Sequence, residues 1–196
     1  KTPSESMADP LIYSDVNLIG SINIINIMLK KGVYKLIFSS SSAVYGEPAK
    51  NYINEDSPVN PKSFYGFTKL EIERILTWYS KITKLRFVAL RYFNAAGYDP
   101  KGRIKHPEIG APNLIPRIME SLSSKDTLLK VYGSDYNTPD GTCIRDYIHV
   151  TDLADAHIKA LEYLNQKKSL INEFFNIGTG KGTSVMEIIK AFESST

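Results

Sequence analysis

Tyr65 and Lys69 stand four residues apart in Tyr65-Gly66-Phe67-Thr68-Lys69, and Ser41 precedes them in Ser39-Ser40-Ser41-Ser42-Ala43-Val44-Tyr45-Gly46. A phenol with a pKa near 10 is a poor base at neutral pH. To remove a proton it needs a fixed cation that favours the phenolate and a hydroxyl that shares its proton. Lys69 and Ser41 are residue types that supply those parts, and the set suits proton abstraction in a redox active site. Four residues on a helix rise about 6 Å and return to the same face, so Tyr65 and Lys69 can both point at one ligand.

The spacing alone decides little in a chain with 12 tyrosines, and Tyr163–Lys167 fits it as well. That second pair lies near the end of a polar helix and has Pro139 where a matching serine would fall. The first pair follows Tyr34-Lys35-Leu36-Ile37-Phe38, a short apolar run that reads as a buried strand over 34–40. Ser41 then sits just past a strand's C-terminal end, where ligands of open α/β sheets bind.

The elements around these residues alternate. Asp9-Pro10 with Leu11, Ile12, Val16, Ile19, Ile22, Ile25 and Met28 predicts a capped helix that ends before Gly32, its Ile-rich face turned to the core. A loop rich in Pro, Asn, Glu and Ser runs to about residue 62, a helix follows over 64–83, and Arg86–Tyr92 is the next strand. This rhythm predicts a parallel sheet with right-handed crossovers. After Asn94 it breaks: Gly97, Pro100, Gly102, Pro107, Gly110 and Pro112 make an irregular stretch that marks a substrate-binding region. Beyond it the pattern predicts a helix at 113–123, a strand at 128–132, a polar loop at 133–142, a strand at 146–150, a helix at 152–166, a strand at 173–177 and a helix from 184. Gly178–Ser184 fits neither phosphate-loop spacing and reads as a tight turn. His106, His149 and His157 lack metal-ligand spacing, so no metal is expected.

The Ser-Ser-Ser-x-x-Val-Tyr-Gly block, the Tyr-x-x-x-Lys helix and Arg91-Tyr92-Phe93-Asn94 resemble the extended short-chain dehydrogenase/reductase superfamily. Asp135 through Val150, with Thr142-Cys143-Ile144-Arg145-Asp146-Tyr147, is similar to the UDP-glucose/UDP-galactose 4-epimerases. The resemblance implies an α/β fold: an NAD(P)-binding, Rossmann-like, doubly wound parallel sheet with a smaller C-terminal substrate-binding region, truncated at both ends. Residues 1–93 would be the C-terminal half of the NAD-binding domain. Residues 94–196 would be an incomplete UDP-sugar region with interleaved Rossmann elements. The glycine-rich pyrophosphate turn would lie in roughly 80 residues missing in front, two to three βα units.

The resemblance further implies an isomerase of galactose metabolism that holds NAD and acts on UDP-glucose and UDP-galactose. Tyr65 would be the base, Lys69 would lower its pKa and hold a ribose, and Ser41 would share the proton. Lys1, Asn17 and Phe93 would join Ser41, Tyr65 and Lys69 at the cofactor. Asn94, the helix start at Asn113 and Leu114, Lys130, Tyr132 and Arg145 would meet the UDP-sugar, and a helix N-terminus and a guanidinium both suit a diphosphate. Asn113 is equally a good N-cap, and Arg145 could instead pair with Asp140 or Asp146. A nucleotide-sugar dehydratase is the nearest rival, although its usual Asp-Glu pair is replaced here by Ser42-Ala43; a non-catalytic NAD-binding sensor or scaffold is another.

Twenty-four basic and 21 acidic residues leave +3, and the lysines are scattered, which argues against nucleic-acid binding. Cys143 stands alone, so an internal disulfide is excluded and a reducing, cytoplasmic setting is expected. No apolar run approaches the roughly 20 residues that span a bilayer, so no membrane partner is expected. The resemblance leaves room for a homodimer built on the helices at 11–31 and 64–83.

Overall fold

The computed structural model describes residues 3–48, 52–104, 110, 112–123, 128–167 and 172–195. In chain order it has α1 (Pro3–Ala8), α2 (Pro10–Tyr13), a π-helical stretch (Ser14–Ile19), α3 (Gly20–Lys30), β1 (Lys35–Ser41), a 3₁₀ turn (Ser42–Val44), α4 (Phe64–Ile82) and β2 (Arg86–Tyr92). Then follow β3 (Asn94–Ala96), α5 (Leu114–Ser123), β4 (Ile144–His149), α6 (Val150–Gln166), β5 (Asn172–Ile177), β6 (Gly182–Ser184) and α7 (Val185–Glu193). The chain forms two compact units, one of residues 1–92 with 154–177 and the other of residues 93–153 with 178–196.

In the first unit β1, β2 and β5 form a parallel sheet in that order, with Lys35 opposite Arg86 and Phe87 opposite Asn172 at the strand starts. Successive side chains of a strand point to opposite faces, and β2 uses both. Phe87 and Ala89 pack with Ile25, Ile72, Leu76 and Leu85 under α3 and α4. Val88 and Leu90 pack with Ala160 and Leu164 of α6. A strand covered on both faces must be apolar throughout, which is why Arg86-Phe87-Val88-Ala89-Leu90 was legible as one. In the second unit β4 pairs in parallel with β3 and antiparallel with β6. Ser184 caps α7 reciprocally with Glu187, so the segment after Ile177 is a short strand and a capping box rather than a bare turn.

Three expectations are corrected. Residues 128–132 are irregular. Leu128 and Tyr132 are exposed, so the apolar content of that run is not organised into a ladder. The Ile-rich helix buries only Tyr13 and Ile25 fully, while Leu11, Ile12, Val16, Ile19, Ile24 and Ile27 are each at least half exposed. The continuous helical run Pro10–Lys30 is also 21 residues long and apolar enough to meet the length and composition of a membrane span. Periodicity identifies an apolar face but does not say what covers it.

Candidate functional site

Ser41 is the last residue of β1 and the N-cap of the 3₁₀ turn: its backbone is extended and its Oγ accepts from Ala43 N at 3.2 Å. Helix α4 starts hard against that turn. A Cβ on Gly66 would stand 2.5 Å from the Ala43 carbonyl oxygen, so only glycine lets the helix approach so closely. Val44 and Tyr45 are buried with Leu70 on the same helix. The apposition sets Ser41 close enough to Tyr65 for its hydroxyl to pull the phenol pKa down.

The opening turn of α4 has orphan N–H groups, as every helix does. Ser63 Oγ accepts from Gly66 N at 3.1 Å, Ser6 Oγ from Tyr65 N at 2.9 Å, and Met7 Sδ from Phe64 N at 3.4 Å. The Tyr65 ring meets Tyr13 edge-on, with centroids 6.4 Å apart. Burial pushes the Tyr65 phenol above its usual pKa, the Ser41 hydroxyl pulls it back, and the Tyr92 and Tyr13 phenols raise it further. Lys69 Nζ donates to the Ser39 carbonyl at 3.0 Å and lies 5.0 Å from the Phe38 ring centroid and 5.7 Å from that of Tyr65. Burial lowers its pKa. Among the described residues no carboxylate pairs with Lys69, so its ammonium retains N–H groups and charge for a ligand.

Asn17, expected at the cofactor, sits in the π-helical stretch and donates through Nδ2 to Thr68 Oγ1 at 3.0 Å. Tyr163 and Lys167 show what the same spacing does elsewhere. The Tyr163 ring packs edge-on to Phe175 in the α6 core cluster and Lys167 Nζ stacks over it at 5.4 Å.

Beneath the site runs a buried polar network that the motif reading passed over. Arg91 Nε and Nη2 donate to the two Glu73 oxygens at 2.9 and 2.6 Å, and Ser40 Oγ donates to Glu73 at 2.6 Å. Arg91 Nη1 donates to the Tyr45 hydroxyl at 2.9 Å, which donates on to Asn176 Oδ1 at 2.8 Å. Burial works against the Arg91 charge, but the Glu73 hydrogen bond and charge outweigh it and the net shift is upward. The signal was present: an arginine ending a buried apolar strand and a glutamate on an apolar helix face require partners.

The remaining candidates lie in the second unit, apart from Lys1, which is outside the described residues. Phe93 packs at Gly178, where a Cβ would fall 3.0 Å from its ring. Asn94 opens β3 opposite Tyr147, and Leu114 opens α5, where Arg117 N donates to the Asn113 carbonyl at 3.2 Å. The Asn113 side chain is exposed, as are Lys130 and Tyr132. Arg145 is exposed too, and its Nη1 donates to the Ile144 carbonyl at 2.8 Å. Neither suspected counter-ion engages it. Asp146 accepts from Thr179 N, Thr179 Oγ1 and Gly180 N, and Asp140 accepts from Thr142 and Ser184. Among the described residues no three His, Cys, Asp or Glu side chains converge to hold a metal.

A family model described as the NAD dependent epimerase/dehydratase family matches residues 1–178. The chain is 44% identical to UDP-glucose 4-epimerase 2 of Oryza sativa subsp. japonica over 100% of its length and 48% of that protein's. It is 45% identical to UDP-glucose 4-epimerase of Lacticaseibacillus casei, over 98% of this chain and 57% of that one. The crystal structure of UDP-glucose 4-epimerase from Brucella ovis in complex with NAD superposes with a TM-score of 0.93 at 44% identity, covering 98% of this chain and 59% of that chain. The enzyme from Bifidobacterium longum in complex with NAD+ and UDP gives 0.90 at 39% identity, over 100% and 58%. The architecture is therefore Rossmann-like α/β, and the chain spans about half the length of the curated relatives it matches.

Proposed function

Because this chain belongs to the NAD dependent epimerase/dehydratase family, we propose that the protein carrying it is an NAD-dependent UDP-glucose 4-epimerase, an isomerase that interconverts UDP-galactose and UDP-glucose. The observation that carries the proposal is the meeting of Ser41, Tyr65 and Lys69 at the C-terminal end of a parallel strand, with an ammonium that no described carboxylate neutralises. A half-buried cation with spare N–H groups beside a phenol fits a cofactor rich in hydroxyl oxygens, and Lys69, Ser41 and Tyr65 would hold it with Phe93 and Lys1. NAD, when bound, supplies the oxidant for sugar C4 and a positive ring that favours the phenolate. Tyr65 takes the proton of the C4 hydroxyl and later returns it, Ser41 shares that proton, and Lys69 favours the phenolate through its charge. Asn17 has an internal partner in Thr68, so we assign its amide first to the protein.

In this reading residues 1–93 serve the nucleotide cofactor and residues 94–196 the UDP-sugar. Arg145 meets the diphosphate, supported by the commitment of Asp140 and Asp146 to other donors. The exposed helix start at Asn113 and Leu114 offers N–H groups to the same anion, Asn94 stands by the sugar, and Lys130 and Tyr132 stand by the uridine. Ser42 and Ala43, in the 3₁₀ turn, carry no carboxyl to expel water, which disfavours a dehydratase. A homodimer would cover the apolar face of α2, the π-helical stretch, α3 and α4, where Leu11, Val16, Ile27, Trp78 and Ile82 are all more than half exposed. The single cysteine suits a reducing cytoplasm.

The test is conversion of UDP-galactose to UDP-glucose by the full-length polypeptide and by Tyr65→Phe. The variant should lose roughly 10²–10⁴-fold in kcat, the scale of a general base. Undiminished turnover would remove Tyr65 from the role.

A further inference from the structure

The main chain of Tyr65 is held at both ends by side chains from outside its own turn. Its N–H is the second of helix α4 and has no partner within the helix. It donates to Ser6 Oγ of α1 at 2.9 Å, and Ser6 Oγ donates in turn to the Pro3 carbonyl at 2.6 Å. At the other end, Thr68 Oγ1 donates to the Tyr65 carbonyl at 2.8 Å and accepts from Asn17 Nδ2 at 3.0 Å. Ser6 and Thr68 are both 0% exposed.

Back-bonding of a helical hydroxyl to a carbonyl one turn earlier is ordinary. Thr77, Ser80 and Thr83 do the same around α4, to Glu73, Thr77 and Tyr79. Thr68 differs because its oxygen also receives an amide from an element 51 residues away in sequence. That amide is delivered by the π-helical stretch Ser14–Ile19, in a geometry that is uncommon and recurs at functional sites. Each hydroxyl in the set donates once and accepts once, so neither buried oxygen has a free choice of partner.

We propose that Ser6, Thr68 and Asn17 are positioning residues that grip the Tyr65 main chain at its N–H and its carbonyl, and so fix where the phenol stands relative to Ser41 and Lys69. The proposal rests on the reading of Tyr65 as the base. It gives α1 and the π-helical stretch a task that neither sequence spacing nor the Tyr-Lys pair indicates. A side chain on the first turn of a helix swings with that turn. Loss of the grip therefore displaces the phenol without removing any group that reacts.

The experiment uses the full-length polypeptide with Thr68→Val, which keeps the shape and deletes the hydroxyl, Thr68→Ser, which restores it, Ser6→Ala and Tyr65→Phe. Steady-state kinetics with UDP-galactose, thermal unfolding and amide hydrogen exchange at Tyr65 are measured on each. Thr68→Val and Ser6→Ala should lower kcat by roughly ten- to a hundredfold with KM within about threefold of wild type, the upper figure being the cost of about 1 Å of misplacement. Thr68→Ser should recover most of the rate, and Ser6→Ala should speed exchange of the Tyr65 amide. A fully active Thr68→Val beside an inactive Tyr65→Phe would overturn the grip and leave the base in place. A fully active Tyr65→Phe would overturn the base reading itself. If Thr68→Ser is as slow and as unstable as Thr68→Val, restoring the hydroxyl rescues nothing, the side chain serves packing and the grip is refuted.

Discussion

Breaking the Glu73–Arg91 pair tests whether the base of the site is held by charge or by shape. Glu73 accepts three hydrogen bonds, from Arg91 Nε, Arg91 Nη2 and Ser40 Oγ, and the two side chains are 2% and 7% exposed. Removing one member of such a pair leaves the other as an uncompensated buried charge, which costs about 3–5 kcal/mol. That is roughly two to four orders of magnitude in the folding equilibrium. Glu73→Gln keeps the volume and turns one acceptor into a donor that faces the Arg91 fork, so it belongs at the lower end of the range. Arg91→Met leaves the carboxylate, Ser40 and the Tyr45 hydroxyl without their cation and belongs at the upper end. The double change Glu73→Leu with Arg91→Met removes both charges into a setting already lined by Val59, Leu70 and Phe174, and should cost far less than the two losses added together. Urea unfolding of the full-length polypeptide, comparing midpoints at constant slope, reads the difference. A single-variant cost below about 1 kcal/mol, or a double variant that is simply additive within about 0.5 kcal/mol, would refute the claim that a desolvated pair locks β1, β2 and α4 together.

Three further outcomes follow. Lys69→Met should move the limb along which kcat rises with pH, because the base must be deprotonated and an ammonium at this range lowers the phenol pKa. The limb should shift to higher pH by about one to three pH units, and a profile superposing on wild type would separate Lys69 from the base. Arg145→Ala should raise KM for UDP-galactose with kcat nearly unchanged, since a diphosphate contact exists in ground and transition states alike; a low kcat at unaltered KM would place Arg145 in the reaction itself. Val16→Glu with Trp78→Glu should convert a dimer to monomers in light scattering, and an unchanged mass would show that the apolar helix face has another use.

The parts of this molecule that could be read in its sequence are those governed by neighbours along the chain. β2 is legible to the residue, because its centre, Phe87 to Leu90, is buried on both faces and apolar at every position. Helix α2 starts where Asp9 and Pro10 require, with Asp9 Oδ1 accepting from Ile12 N at 3.2 Å. Tyr65 and Lys69 share a helix face, since four residues make little more than one turn. The parts that escaped depend on residues far apart in sequence. Asn17 is an amide in an apolar helix, which signals that a partner exists but not that Thr68 is one. Ser6 gives no signal at all, being one small polar residue in a polar segment. The Asp140 and Asp146 carboxylates looked like partners for Arg145 because they flank it, yet the turn at Thr179 and the cap at Ser184 claim them first. What separates the two groups is the origin of the constraint. A period of 3.6 or 2 is written into a few consecutive residues, whereas a hydrogen bond between α4 and the π-helical stretch exists only once the two have packed together. The candidate site is therefore legible in the side-chain types of Ser41, Tyr65 and Lys69. The neighbours that hold the Tyr65 main chain, Ser6 and Thr68, are brought there by the fold.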